Sequence, residues 1–401
     1  MLLKGMLRAG RWEEAQTTMQ IVARRYDTAL PVTLTVEHGK VAGIVNASDE
    51  GASLPWVAPA LLDLQVNGFH GHNFNDPGVT VADVRAVVDV LWRGGVGGFC
   101  PTITTGPNDL LAHAMRTVAQ ACDGDPDVNH AVVGIHLEGP YISPVDGPRG
   151  AHPLAHVRPP DWDEFLHLQD AAGGRIRMVT VAPEVEGALR FIEQATAAGV
   201  VISLGHHCAP TERIVAAVAA GARMCTHWGN GAHALLPRHP NYLWDQLAND
   251  SLWASIIADG HHLPPSVVTC MLRAKGLHRT VLVSDALYLA GLPPGRYQSM
   301  GLDIEMTASG RIQLTGTPLL AGSSLHLAEG IGNVSRFAGV SLANAVDLAA
   351  RNPAILLGIE NRWGSIAPGR SADLLLFDWD EQECNLHVRS LLMRGRPVFT
   401  A

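Results

Sequence analysis

The sequence predicts an α/β fold: a (β/α)8 barrel of TIM type carrying a small β-sandwich domain built from both termini. Three observations predict it. Short apolar runs that read as buried strands alternate with helical patterns eight times through the middle of the chain. The polar residues Gln65, Asn67, Thr104, Thr105, Glu138, His206, His227, Asp259 and Asp285 fall where those runs end. Both ends of the chain carry alternating strand patterns too short to bury a core of their own, so they are expected to pair with each other.

In chain order, residues 32–37 and 40–45 alternate on either side of His38-Gly39, a β-hairpin signal. Barrel strands are expected at 60–66, 98–104, 131–138, 176–182, 200–205, 223–227, 254–259 and 281–285, with helices at 81–92, 186–198 and 211–220 among those between them. Residues 301–314 read as an inserted hairpin around Ser309-Gly310. A helical region around 344–354 leads to further short strands from 364. The expected division is 1–58 with 364–401 for the small β-domain and 59–363 for the barrel.

At 401 residues and 47% hydrophobic content the chain is long enough for one large domain and a smaller companion. A net charge of −9 and a pI near 6.1 exclude the basic footprint of a nucleic-acid binder. The six cysteines are scattered without C-x-x-C spacing and read as reduced thiols. Cys208 and Cys225, each two residues from a candidate histidine, read as strand-packing thiols. Residues 1–8 lack the continuous apolar core of a signal peptide, and no apolar run reaches the ~18 residues a membrane span needs. A soluble, cytoplasmic protein is expected.

The chemistry centres on Gly134-Ile135-His136-Leu137-Glu138-Gly139-Pro140. Glu138 arrives as an apolar strand opens into a Gly-Pro turn, where a lone buried charge costs several kcal/mol or takes up a proton. His206 in Gly205-His206-His207 and His227 in Thr226-His227-Trp228 close two later strands. One carboxylate and two imidazoles meeting from three strand ends read as a metal site with one position left for water. Such a donor set suits zinc first, and also iron(II), manganese or cobalt. Asp285, after Val281-Leu282-Val283, reaches the same mouth as a proton carrier between water and a leaving amine. Taken singly, a strand-end aspartate is an ordinary helix N-cap and a lone histidine an ordinary core residue. Together, in this order, they read as a site.

Two glycine-rich stretches are set aside. Gly94-Gly95-Val96-Gly97-Gly98 follows a helix and precedes a strand, the reverse of a phosphate-binding loop. Ala321-Gly322-Ser323-Ser324 lacks the G-x-S-x-G of a nucleophile elbow.

The segments Asp63-Leu64-Gln65-Val66-Asn67-Gly68, Pro101-Thr102-Ile103-Thr104-Thr105, His136-Leu137-Glu138-Gly139-Pro140, Asp259-Gly260-His261-His262 and Ser284-Asp285-Ala286 resemble the N-acetylglucosamine-6-phosphate deacetylase family of the amidohydrolase superfamily. The resemblance runs from about Asp63 to Asp373. It implies one divalent metal held by Glu138, His206 and His227, with Asp285 as the catalytic acid and base. It also implies that Gln65, Ala151, His152, Asn230, Gly231, Arg238, His262, Leu320, Ala321 and Gly322 line the amino-sugar and phosphate pocket. A homodimer with phosphate contacts across its interface is implied as well. Many superfamily members carry His-x-His after the first strand for a second metal; Gln65 and Asn67 stand at those positions here, which matches the one-metal variety. His70 and His72 read as loop residues, an accessory metal being the alternative.

The departures cluster near the phosphate end. Thr226-His227-Trp228-Gly229-Asn230-Gly231-Ala232 stands where the family reads T-H-x-x-N-A-M, and the loop from His233 to Asp245 lacks the common Arg-x-Pro-Gly. Deacetylation is therefore better supported than the 6-phosphate. The alternatives are hydrolysis of another N-acyl substrate, such as N-acetylgalactosamine-6-phosphate or a non-phosphorylated amino sugar, and a catalytically silent binding barrel.

Overall fold

The computed structural model describes residues 18–48, 53–299 and 302–401. The N-terminal segment examined for a signal peptide lies outside the described residues.

Eight parallel strands form the central sheet, each hydrogen-bonded to the next in sequence: β1 (Leu61–Val66), β2 (Val96–Thr104), β3 (Ile135–Glu138), β4 (Ile176–Val181), β5 (Val201–Leu204), β6 (Met224–Cys225), β7 (Trp253–Ile256) and β8 (Thr280–Leu282). The ring is completed between β1 and β8 just past their ends. Val66 bridges Ala286, Asp285 N donates to Gln65 O at 3.0 Å, and Asn67 N donates to Ala286 O at 2.8 Å. A buried side chain reinforces that seam: Asp63 Oδ1 accepts from Ser284 N at 3.1 Å and from Gln65 N at 3.2 Å. All six residues of β1 are buried, as expected of a sheet covered on both faces.

Helices cover the outside for reasons visible in their sequences. The helix Val81–Arg93 starts in a capping box between Thr80 and Asp83 and buries Val84, Val87, Val88 and Leu91, spaced three and four apart. Asp161 caps Trp162–Ala171 by accepting from Glu164 N. The expected strand at 131–138 is corrected to Ile135–Glu138. Pro126 sits at a helix start and Asp125 accepts from Asp127 N and Val128 N, so Pro126–Ala131 is helical instead. Several other strands end earlier than their apolar runs, β7 and β8 most of all.

The expected hairpin at 301–314 is the latter part of a larger insert. Gly295–Ser299, Leu302–Met306 and Ile312–Leu314 form a three-stranded antiparallel sheet, and the turn at Ser309-Gly310 joins its last two strands. Ile304, Met306 and Ile312 pack with Leu289 and Ala321 over the barrel mouth.

Both termini meet in one sheet of seven strands. Met19–Arg25, Pro31–Glu37, Lys40–Asn46 and Trp56–Pro59 join Leu374–Asp380, Asn385–Met393 and Arg396–Thr400. The sheet carries a core of Ile21, Val32, Leu34, Val36, Val41, Leu374 and Leu392, drawn from both chain ends. Leu375, Phe377, Leu391 and Met393 pack in the barrel's own core. All six cysteines are free thiols. Among the described residues no helix is long and apolar enough to cross a membrane.

Candidate active site

At the carboxyl ends of the strands lies a pocket of about 400 Å³, lined among others by Asn67, Glu138, His152, His206, His227 and Asp285. Glu138 is the last residue of β3. His206, His227 and Asp285 follow β5, β6 and β8 by two to three residues, and all three adopt left-handed backbone, with φ of 51°, 29° and 50°. A non-glycine residue in that region is uncommon and held at a cost of about 1–3 kcal/mol. At these three positions it turns the side chain in over the ring just past the end of the strand.

Glu138 Oε1 lies 3.0 Å from His227 Nε2 and 3.4 Å from His206 Nε2, and the two Nε2 atoms are 3.0 Å apart. His206 Nδ1 donates to Pro148 O at 2.9 Å, so its Nε2 presents a lone pair to the cluster. Two imidazole nitrogens and a carboxylate oxygen this close, all buried, are a donor set a divalent cation satisfies. Among the described residues this is the one cluster of its kind. Burial alone would push Glu138 up; its contacts with His206 and His227 outweigh it and hold the carboxylate well below its ordinary range. Burial opposes the charging of His227 too, but Glu138 beside it raises that imidazole.

Asp285 faces the cluster through an amide pair. Its Oδ1 accepts from Gln65 Nε2 at 3.1 Å and from Asn67 Nδ2 at 2.8 Å, while Gln65 Nε2 also donates to Glu138 Oε1 at 2.9 Å. Burial, then the charge on Glu138, pushes Asp285 up to about 6. His152 completes the near wall. Its Nδ1 is 2.8 Å from Thr105 Oγ1, its Nε2 is 3.3 Å from His206 Nε2, and burial lowers it to about 3, which leaves the ring neutral. Two glycines make room for His206. A Cβ on Gly231, whose φ is +57°, would lie 2.8 Å from His206 Nδ1, and one on Gly150 would lie 3.2 Å from Cε1.

The sequence matches the amidohydrolase family over residues 56–398. The chain belongs to that family. An N-acetylgalactosamine-6-phosphate deacetylase of Escherichia coli O157:H7 is 34% identical over 369 residues, 90% of this chain and 93% of that protein. An N-acetylglucosamine-6-phosphate deacetylase of Bos taurus is 34% identical, over 86% of this chain and 83% of that one. Among solved structures, an Asp-to-Ala mutant of N-acetyl-D-glucosamine-6-phosphate deacetylase from Mycobacterium smegmatis, in complex with N-acetyl-D-glucosamine-6-phosphate, superposes with a TM-score of 0.85 at 27% identity. It covers 96% of this chain and 100% of that chain. These neighbours share the barrel and its terminal β-structure, and the chain is an amidohydrolase acting on a carbon–nitrogen bond.

Within this amidohydrolase, Ala151, Asn230, Gly231, His262, Leu320, Ala321 and Gly322 line the same pocket as the cluster. His262 is fixed by Asp259, whose Oδ2 is 2.7 Å from its Nδ1. Burial would raise Asp259, but its bond to His262 brings it below its ordinary value. Gln65 sits under the pocket, bonded to both carboxylates. Arg238 does not come to this pocket; it lies exposed on the loop after β6. His70 and His72 stay outside it as well, and His72 Nδ1 pairs with Asp83 at 2.7 Å. Asn67, Thr105, Asn73 and Asn75 are among the contributors that the sequence reading leaves out of the site. The first two were visible as strand-end polar residues. Asn75, whose Oδ1 accepts from Thr104 N at 2.7 Å, left no mark in the pattern.

Proposed function

We propose that this amidohydrolase removes the acetyl group of N-acetylglucosamine-6-phosphate, giving glucosamine-6-phosphate and acetate. The observation that carries the reading is the convergence of Glu138, His206 and His227 opposite Asp285, in one pocket with Asn230, Gly231 and His262. Glu138, His206 and His227 would hold one divalent cation, zinc by preference, with iron(II), manganese or cobalt compatible with the same donors. When bound, such an ion acidifies water and polarises the amide carbonyl.

Asp285, held by Gln65 and Asn67, takes the proton from the attacking water and passes it to the amide nitrogen as the C–N bond breaks. Neutral His152, with its proton on Nε2 and Thr105 donating to Nδ1, hydrogen-bonds the carbonyl oxygen as charge builds there and keeps its proton. His262, oriented by Asp259, and the backbone of Asn230-Gly231 take the phosphate end. Arg238 serves a partner's pocket in a homodimer. Its loop is exposed, and Leu235 and Trp244 beside it are 91% and 55% exposed, as an unpaired interface would be. The enzyme works in the cytoplasm.

The test is acetate release from N-acetylglucosamine-6-phosphate by the metal-loaded protein; no release, or release unaffected by thorough chelation, overturns the reading. A second reading replaces the sugar by its galacto epimer, favoured by the E. coli relative at equal identity and 93% coverage. The ratio of kcat/KM for the two sugar phosphates decides between them.

A further inference from the structure

Beside the catalytic pocket lies a second cavity of about 360 Å³ that the proposed mechanism does not use. The two adjoin: Asn73, Asn75, Thr104 and Pro153 line both. The far wall of the second is apolar, built by Ile103 from β2 and by Leu110, Leu111 and Ala114 from the helix Asn108–Gly124. Its volume lies within the range of small-molecule sites, and its lining sets that apolar wall beside polar groups that include Asn73, Asn75, Asp76, Thr104, His156 and Gln298.

Its position says what it holds. In a ring of eight strands β2 faces β6 across the axis. The residues assigned to the sugar phosphate, Asn230, Gly231 and His262, follow β6 and β7 and line the catalytic pocket alone, whereas the second cavity opens off the end of β2. A secondary amide is planar and keeps its two substituents trans, so they leave the scissile bond in opposite directions. With the amide between Asp285 and the Glu138 cluster and its sugar toward β6, the acyl carbon chain runs toward β2 and onto the apolar far wall of the second cavity.

We propose that this cavity is an acyl subsite and that the enzyme hydrolyses N-acyl amino-sugar phosphates with chains longer than acetyl. The inference rests on the deacylase reading above. The reaction is unchanged: water adds to the acyl carbon, the C–N electron pair stays on nitrogen, Asp285 delivers the proton there, and the longer carboxylate departs. Each methylene moved from water onto such a wall is worth about fourfold in binding, which offsets the bulk of the longer chain.

The experiment compares kcat/KM for N-acetyl and N-butyryl forms of the same amino-sugar phosphate in the metal-loaded wild type, Leu110→Trp and Gly106→Val. Leu110 is a half-buried wall residue. A Cβ on Gly106 would meet its nearest neighbours at an ordinary 3.6 Å or more, which provides a second filling variant. Calorimetric titration of both compounds into Asp285→Asn reads binding without turnover. The butyryl compound is expected within tenfold of the acetyl in kcat/KM and to bind at least as tightly. Each filling variant should cost it at least ten times more than it costs the acetyl compound. A butyryl rate further than tenfold below acetyl in the wild type, or equal losses for both compounds in the variants, overturns the subsite while the deacetylase stands. A protein that cleaves neither overturns both.

Discussion

The catalytic pocket and the loop beyond its far end are built in opposite ways. At the cluster, Glu138, His206, His227 and Asp285 are all buried, and other residues bond and hold Glu138, His206 and Asp285: Gln65 holds Glu138 and Asp285, Pro148 holds His206, and Asn67 holds Asp285. On the loop after β6, outside the pocket, residues 237–240 are exposed, Arg238 among them, and Asn241 Nδ2 donates to the Pro237 and Arg238 carbonyls at 3.0 and 3.4 Å. The contrast teaches that the cluster is held in place before substrate arrives, whereas the Arg238 loop presents its side chains to solvent, which is what the proposed partner contact would use.

Breaking the rigid end should produce the largest effect. Asp285→Asn keeps the shape and the Oδ1 contacts but cannot take a proton, so kcat should fall by about 10²- to 10⁴-fold with metal content unchanged by elemental analysis. Full activity in that variant would remove Asp285 from the mechanism. Gly231→Ala comes next. The added methyl at 2.8 Å from His206 Nδ1, on a backbone of φ +57°, must shift the imidazole or its loop. Disturbing the setting of a metal ligand typically costs about 10- to 100-fold in affinity, which a competition titration with a chelating dye would read. An unchanged affinity would show that this end is less rigid than its contacts imply. The open end should respond more weakly and selectively. Arg238→Ala is expected to raise KM for the phosphorylated sugar about tenfold, the worth of one charge-assisted contact, with kcat little changed and the plain sugar unaffected. Equal losses on both sugars would place Arg238 in folding or assembly.

The same contrast governs how much the sequence discloses. The barrel is legible because buried parallel strands must be apolar runs, and the candidate ligands are legible because a charge at the end of such a run demands a partner. Residue order alone could not show that His206, His227 and Asp285 leave their strands in left-handed backbone, since that depends on what surrounds them. For the same reason the ladders end before the apolar pattern does. The three-stranded insert was half seen: its last turn carries Ser309-Gly310, but Gly295–Ser299 has no apolar alternation to announce it. Asn75 escaped notice because its work is to cap Thr104 N from a loop, a contact with no periodicity behind it.

The smallest expected effect concerns stability and the seam on which Asp285 is mounted. Asp63 is fully buried there, its Oδ1 shared by Gln65 N and Ser284 N, and its Oδ2 has no hydrogen-bond partner. Burial pushes its carboxyl up to about 7 from 3.8, against the pull of those bonds. A native pKa above the unfolded one means the folded state keeps a proton the unfolded chain has already lost. The stability this confers is full below 3.8 and is lost as pH rises through about 7. Between pH 5 and pH 8 the loss should be on the order of 2 kcal/mol, at ~1.4 kcal/mol per unit. Asp63→Asn retains an oxygen for both backbone donors and never ionises, so it should escape that loss. Denaturant midpoints at the two pH values should show the variant gaining on the wild type as pH rises. A constant difference would mean that Asp63 keeps one charge state across this range, and that the seam beneath the rigid end carries no electrostatic burden of its own.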